Sequence, residues 1–475
     1  MKLEIYNTHM EVSPYTQEDL PYIEKNFTAL DRFSQKEYAC AYTILNGTLY
    51  LPKGTQLTSR FKAEFDSIKL ITEVDPYEKM SEEFKALYPP RNELQEKSIQ
   101  FLCSGSNPQL GLNLVTGFGK TFCVASAVTK LNEKAIIITP NEALKLQWIK
   151  TFSEMFDYKA KNLMNISGSN IMTEIIEGSI KETDVYFVNH QTLRSYMTNY
   201  GCFALHEFFK KIKVGIKVYD ESHMEFANIL LIDFFTNTKT TFYLTATFDR
   251  SDKSESACFK KAFKSVKTFG EYESAEATEK HVVYHVVNIN SRASYKEKLK
   301  ITGWQGMTAA SYAKYAFFTD KNETTYRTIK LIVEKMKETE GKILIFVGLI
   351  DAVNLVGQKL KEDFPDKSVG ILHSQVSKDE KESAVKKDII VSTVKSCGTG
   401  KDIKGLRTVI CAEELASKIT AKQIIGRLRP FGEGKETYYF DIVNICIPSV
   451  TYWFRARFKT LSQLVKKIVY LDMDK

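Results

Sequence analysis

Short, fully apolar runs recur along most of this chain, each about one strand long and each followed by an amphipathic stretch. Residues 111–115, 135–138, 185–188, 214–219 and 241–244 form one series, and residues 342–347, 368–372, 388–391, 408–412 and 438–442 form another. A strand that is apolar on both faces has no wet side, so it belongs in a parallel sheet covered by helices. Two such series predict an α/β chain with two parallel-sheet domains in tandem. The length of 475 residues agrees, being too great for one ordinary core.

Residues 1–88 precede the first series and carry short aromatic and β-branched runs, among them 41–51, closed by Pro52-Lys53-Gly54. They predict a small N-terminal α+β module with turns between its elements. Pro89-Pro90 stiffens the chain and marks a boundary. The first α/β domain then covers 89–272, a linker or insertion covers 273–328, and the second domain covers 329–475. Within 295–326, Trp304, Tyr312, Tyr315, Phe317 and Phe318 read either as the core of an insertion or as a stacking surface. The stretch 450–475 reads as a basic amphipathic helix carrying Trp453, Phe454 and Phe458, with Arg455, Arg457 and Lys459 as candidate phosphate contacts. No internal sequence repeat is visible.

Composition narrows the function classes. A hydrophobic fraction of 43% with 26% charged residues excludes a disordered chain. A net charge of +8 permits a phosphate-backbone partner without requiring one. The eight cysteines are scattered with no Cys-x-x-Cys pair, which predicts neither a zinc knuckle nor a disulfide framework. No apolar run approaches the ~18–20 residues of a membrane span, and the first residues do not resemble a signal peptide. The expectation is a cytoplasmic protein with reduced thiols.

Two clusters carry chemistry. The apolar run at 112–115 leads into Thr116-Gly117-Phe118-Gly119-Lys120-Thr121, followed by a helix-like stretch. Glycines let successive amide N–H groups turn toward phosphate oxygens at a helix N-terminus. Lys120 then reaches the β- and γ-phosphates of ATP, and the Thr121 hydroxyl ligates Mg²⁺. A strict phosphate loop has a small residue five positions before its second glycine, where this chain has Leu114. About 100 residues on, the run 214–219 delivers Asp220-Glu221-Ser222-His223. Asp220 is placed to hold Mg²⁺ through water, and Glu221 to act as general base toward the attacking water.

Taken with the residues around them, these clusters resemble superfamily 2 helicases, and the resemblance covers most of the chain from about Arg91 to Pro430. Arg91-Asn92-Glu93-Leu94-Gln95 is similar to the family's adenine-reading motif, whose amide can pair with both donor and acceptor on the base edge. Ile138-Thr139-Pro140 with Leu144 to Trp148 resembles a motif that grips a strand's phosphates, and Asn189-His190-Gln191 stands where another strand-gripping motif usually begins with Thr. Thr245-Ala246-Thr247, with His223, resembles the elements that link hydrolysis to strand binding. In the second domain, Phe346, His373-Ser374 and Thr393 resemble strand-binding positions. Gly398-Thr399-Gly400-Lys401-Asp402 and the stretch from Gln423 to Pro430 resemble the last two motifs, which implies contact of Gly400, Asp402 and Gln423 with nucleotide. Arg427 matches the family's first arginine; Pro430 stands where a second is normal, and Arg429 lies one residue early. Either arginine is a candidate finger for the γ-phosphate.

The resemblance implies nucleotide held between two RecA-like domains, with a nucleic-acid partner and no required oligomer. The Asp-Glu-Ser-His sequence, the Gln-led last motif and Leu49 to Gly54 resemble the bacteriophage UvsW group, with an XPB-like motor, which implies that residues 1–88 are an accessory duplex-DNA-binding module. The same resemblance implies a DNA-stimulated helicase acting on forked or branched DNA in recombination, replication or repair, in the host cytoplasm if of phage origin. An RNA helicase or a transcript-release translocase is the alternative, and a nuclease-coupled translocase finds no acidic nuclease motif to support it. Replacing Arg427 and Arg429 singly by Ala separates the finger candidates. Loss of the finger lowers nucleic-acid-stimulated ATPase by about 10³–10⁵, and full activity in both variants removes the assignment of this motif.

Overall fold

The computed structural model describes every residue except 16, 31–36, 60–61, 63–64, 115–116, 246–252, 271–279, 304–305, 398–402, 416, 433–434 and 474–475. The chain divides into two units, Met1–Ala277 and Thr278–Lys475.

The first unit begins with a five-stranded sheet of β1 (Lys2–Ile5), β2 (His9–Ser13), β3 (Thr43–Leu45), β4 (Thr48–Pro52) and β5 (Ser67–Leu70). Strands β3 and β4 form a hairpin, because Asn46 and Gly47 both take positive φ (51° and 73°) and supply the tight turn that matches strand twist. Its apolar side chains Leu3, Met10, Val12, Leu49 and Leu51 lie in the same buried cluster as Ile136, Ile138, Tyr186 and Tyr219 of the next sheet. The N-terminal sheet therefore shares a core with the first seven-stranded sheet.

The second sheet is built from β6 (Gln109–Asn113), β7 (Ala135–Thr139), β8 (Leu163–Ile166), β9 (Val185–Asn189), β10 (Ile216–Tyr219), β11 (Thr240–Thr245) and β12 (Lys267–Phe269). All neighbours are parallel. Alternate side chains separate cleanly between its faces: Ile136 and Ile138 join one buried cluster, Ala135 and Ile137 the other. Its helices include α1 (Glu93–Leu102), α2 (Lys120–Leu131), α3 (Glu142–Met155), α4 (His190–Tyr200) and α5 (Phe226–Phe234).

A strap before α1 closes the opposite end of this sheet. The amide of Asp75 bonds the Asn237 carbonyl, Glu78 exchanges backbone bonds with Lys213 and Lys134, Met80 bonds Asn132, and Ser81 bonds the Asp184 carboxylate at 2.6 and 2.8 Å. Those partners precede β11, β10, β7 and β9 in turn, so the strap crosses the strand beginnings in their spatial order. Pro89 and Pro90 follow the strap, and contacts with the first seven-stranded sheet start before them.

The second unit has β13 (Val282–Ile289), β14 (Lys342–Phe346), β15 (Val369–Leu372), β16 (Ile389–Ser392), β17 (Leu406–Cys411), β18 (Thr437–Asn444) and β19 (Lys467–Asp472), again all parallel. Counted along the chain within each sheet, both seven-stranded sheets run third-fourth-second-fifth-sixth-first-seventh. The same architecture is thus present twice without a visible sequence repeat, two RecA-like α/β layers with a small N-terminal sheet.

Two expectations change here and one open alternative closes. Strand β13 lies inside the segment 273–328 that reads as a linker, yet pairs with β18 along its whole length. Its His285 and Asn288 interrupt an otherwise apolar run, which hides it. In the same segment, Tyr312 and Tyr315 are buried on α6 (Ala309–Phe318), favouring the core reading, while Trp304 lies outside the described residues. The C-terminal stretch is not one helix: after α7 (Lys418–Ile425), α8 (Pro448–Leu461) ends and the chain returns as edge strand β19.

Arg457 of α8 is no phosphate contact. It is buried, donating to Asp441 Oδ1 at 2.8 Å and Oδ2 at 3.0 Å and to Glu414 Oε2 at 3.0 Å, while the Tyr284 hydroxyl donates to Asp441. Burial pushes the Glu414 carboxyl up to about 7, against the pull of Arg457. Removing the cation leaves two buried carboxyl groups uncompensated. Arg457→Leu is expected to cost about 3–5 kcal/mol of stability, read as a lower urea midpoint at unchanged slope.

Candidate nucleotide and nucleic-acid site

The phosphate loop is shaped by what lies beneath it. Asn92 caps α1 by accepting the Gln95 amide at 2.9 Å, which fixes Gln95 in the first turn. The fully buried Gln95 side chain accepts from the Arg91 amide at 2.8 Å and donates to the Phe118 carbonyl at 2.8 Å; Arg91 Nη2 reaches the same carbonyl at 3.3 Å. Gly119, at φ 98°, has its missing Cβ position only 2.6 Å from Gln95 Nε2 and 2.9 Å from Arg91 Nη2, so a side chain there collides with the latch. Gln95 and Arg91 thus hold the loop from behind, and the adenine-reading role expected for Gln95 would have to share an amide already engaged.

Lys120 opens α2 directly after the glycine, with Thr121 second. Its ammonium donates to the Leu114 carbonyl at 2.9 Å. Gly117 also has positive φ (88°), while Thr116 lies outside the described residues.

Strand β10 ends at Tyr219 and delivers the acidic pair. Asp220 is buried; its Oδ2 accepts from Trp148 Nε1 at 2.8 Å and its Oδ1 from the Glu221 amide at 2.9 Å. Burial, then the neighbouring Glu221, pushes Asp220 up to about 6, while the Trp148 bond and the Lys120 charge act the other way. Glu221 is raised as well, by withdrawal from water and against Lys120. It sits at φ 47°, a strained backbone for a side chain of its size. Its Oε2 has no oriented hydrogen bond although His223 Nδ1 lies 3.3 Å away, and that same nitrogen lies 2.9 Å from Thr245 Oγ1. Thr247 lies outside the described residues. Two carboxyl groups withdrawn from water, beside a lysine and a glycine cradle that admits no side chain, fit a divalent cation with a nucleotide triphosphate.

Sequence reasoning placed Leu144 to Trp148 in the strand-gripping motif and missed the tie to Asp220 made by the buried indole of Trp148. Trp148 lies on α3 behind a long stretch of chain, and only an indole donor facing β10 reveals the tie.

The strand-gripping candidates are placed less uniformly. Thr139 is fully buried, its hydroxyl 3.0 Å from Asn189 Oδ1 and 3.2 Å from the Asn141 carbonyl; Asn189 in turn donates to Glu142 at 3.0 Å. The Thr139 side chain therefore positions Asn189 and does not face outward, while Pro140 is half-buried and Gln191 is exposed. In the second unit Phe346 is fully buried in the core, so its side chain is not presented to a strand. His373 is buried with Nε2 3.1 Å from Asn354 Oδ1, and Ser374 is exposed. Thr393 bonds Ser396 through hydroxyl and amide at 2.9 and 3.2 Å, closing the turn after β16. Gln423, on α7, is half-buried, as are Arg427 and Arg429, the last donating to the Gly426 carbonyl at 2.9 Å. Gly400 and Asp402 lie outside the described residues.

An Asp220 carboxyl near 6 sets an acid limb. Below that pH the group takes a proton and loses the charge that holds a cation. The kcat/KM for nucleotide hydrolysis is expected to fall as pH drops through about 6. Trp148→Phe removes a bond that favours the charged form, so its limb shifts to higher pH; an unshifted profile would detach Asp220 from the limb.

Comparison with known proteins identifies the family. Residues 75–250 match the family described as Type III restriction enzyme, res subunit, and residues 321–431 match the helicase conserved C-terminal domain, together more than half the chain. The transcript termination protein A18 of Yaba monkey tumor virus (strain VR587) is 24% identical over 387 residues, spanning 77% of this chain and 74% of that protein. Among solved structures, Dbp5 of S. cerevisiae bound to RNA and ADP BeF3 is similar, with a TM-score of 0.56 and 16% identity over 80% of this chain and 90% of that one. Mss116p bound to ssRNA and AMP-PNP gives 0.56 and 17% over 81% and 75%. At such identity the structural likeness concerns the fold. With the phosphate loop, the acidic pair and both family matches on the same two sheets, the chain belongs to the superfamily 2 helicases, ATP-dependent enzymes that act on nucleic acid.

Proposed function

We propose that the chain couples ATP hydrolysis to movement along DNA and remodels forked or branched duplexes. The observation that carries the motor is the convergence of Lys120, Asp220, Glu221 and the His223–Thr245 pair at one edge of the first large sheet. In this reading Lys120 leaves the Leu114 carbonyl for the β- and γ-phosphates, and Thr121 and Asp220 would hold Mg²⁺, which supplies charge neutralisation on the phosphates. Glu221, its affinity for a proton raised, takes one from the attacking water. His223 stands between Glu221 and Thr245, so a shift of one is felt by the other. Gln191, Ser374 and Thr393 are the positions best exposed or placed to meet strand phosphates, with Arg427 or Arg429 completing the γ-phosphate contacts. Grip on phosphates is electrostatic and steeply salt-dependent.

The duplex-handling role of the N-terminal sheet rests on the UvsW resemblance, and its shared core would transmit duplex contact to the ATPase strands. A second reading, release of transcripts from their template, is favoured by the likeness to A18 transcript termination proteins across 77% of the chain.

ATPase rates with single-stranded DNA, duplex DNA, a four-way junction and RNA, measured side by side, test the choice. The junction is expected to stimulate most. Stimulation by RNA alone, or displacement of a transcript without unwinding of forks, would move the assignment to the second reading. Glu221→Gln is expected to lower the rate by about 10²–10⁴ with every substrate.

A further inference from the structure

Three strands end in residues that handle nucleotide: β6 runs into the phosphate loop, β10 into Asp220 and Glu221, and β11 ends on Thr245. One carboxylate ties them together below that edge. Asp233, on α5, accepts from the Tyr219 hydroxyl at 2.8 Å and the Tyr243 hydroxyl at 2.6 Å, and pairs with Lys217 Nζ at 2.7 Å. Gln109 of β6 donates to the Tyr243 hydroxyl oxygen at 3.0 Å. Lys217 and Tyr219 share one face of β10, and Tyr219 is the residue before Asp220. The Tyr219 and Tyr243 rings stack at 5.5 Å on neighbouring strands, and His190 stacks on Tyr219 at 5.9 Å. Both ends of the ion pair are buried, 0% exposed for the Lys217 side chain and 2% for that of Asp233.

Stability does not account for this arrangement, because well-packed apolar residues fill such a space at equal or better stability than a buried ion pair. What a fully satisfied polar cluster adds is a single register. The cluster also has a back wall. Thr8, between β1 and β2 of the N-terminal sheet, places its hydroxyl 2.7 Å from the Thr236 carbonyl and 3.0 Å from the Asp233 carbonyl.

We infer that Asp233 is a positioning residue for ATP hydrolysis: it fixes how far Asp220, Glu221 and Thr245 project from their strands, and Thr8 of the N-terminal sheet holds it in place. The inference deepens the motor reading and rests on it. It makes the N-terminal sheet a determinant of the chemical step as well as a possible surface for duplex.

The test uses the full chain carrying Tyr219→Phe with Tyr243→Phe, which keeps both rings and removes both hydroxyl donors. The expected result is a kcat about tenfold lower with KM for ATP within about twofold of the parent. A folded double variant with kcat within about twofold of the parent overturns the inference. If the double variant does not fold, Thr8→Val serves instead: kcat is expected to fall about threefold and return in Thr8→Ser. An unchanged kcat in Thr8→Val overturns the inference equally. Absence of ATPase in the parent, or full activity in Glu221→Gln, would strike the motor reading and is read from the same plate.

Discussion

Parallel strands put all their carboxyl ends on one edge of a sheet, and the chemistry of this protein depends on that constraint. Nothing local joins residue 120 to residues 220 and 245, yet β6, β10 and β11 bring them to one rim because each strand must run the same way. The requirement that both faces be covered then dictates the rest: helices on each side, apolar strands, and short loops at the rim free to carry polar residues. The cost is concentrated there as well. Asp220 and Glu221 emerge into dry surroundings, resist ionisation, and are held near function by Trp148 and by the charge of Lys120.

The two large sheets offer an internal control. In each, the fifth strand ends beside an acidic pair: Asp220-Glu221 after β10, and Glu413-Glu414 shortly after β17. In the second unit the pair is absorbed by structure, Glu413 accepting the Val394 amide at 3.0 Å and Glu414 paired with Arg457. In the first unit, among the described residues, no arginine pairs with Asp220 or Glu221, and Glu221 Oε2 lacks an oriented donor. The same topological position therefore serves packing in one unit and is left open to a ligand in the other.

This contrast explains what could be read from sequence. All ten apolar runs became strands within a few residues of their expected limits, because a strand buried on both faces has to be apolar throughout. In the two large sheets the strands that escaped notice were β8, β12 and β19 at sheet edges, where Lys267, Lys467 and Asn165 face water, and β13, with its polar interruptions. Motif residues were legible by type and order, but their roles depended on burial that type does not reveal. Thr139, Phe346 and Arg457 all read as phosphate or strand contacts and all point inward. The N-terminal boundary misled for a related reason: Pro89-Pro90 is a genuine stiff point, but a stiff point ends a domain only where few contacts cross it.

The strap bears on how this chain can be divided. A fragment begun just before α1 would contain every motor motif, yet Asp184 would lose the Ser81 amide and hydroxyl, Lys134 would lose the Glu78 carboxylate, and Glu133 would keep Lys239 but lose Lys79. Four strand beginnings would be opened to water together. The smallest portable engine in this protein is accordingly longer than its motifs.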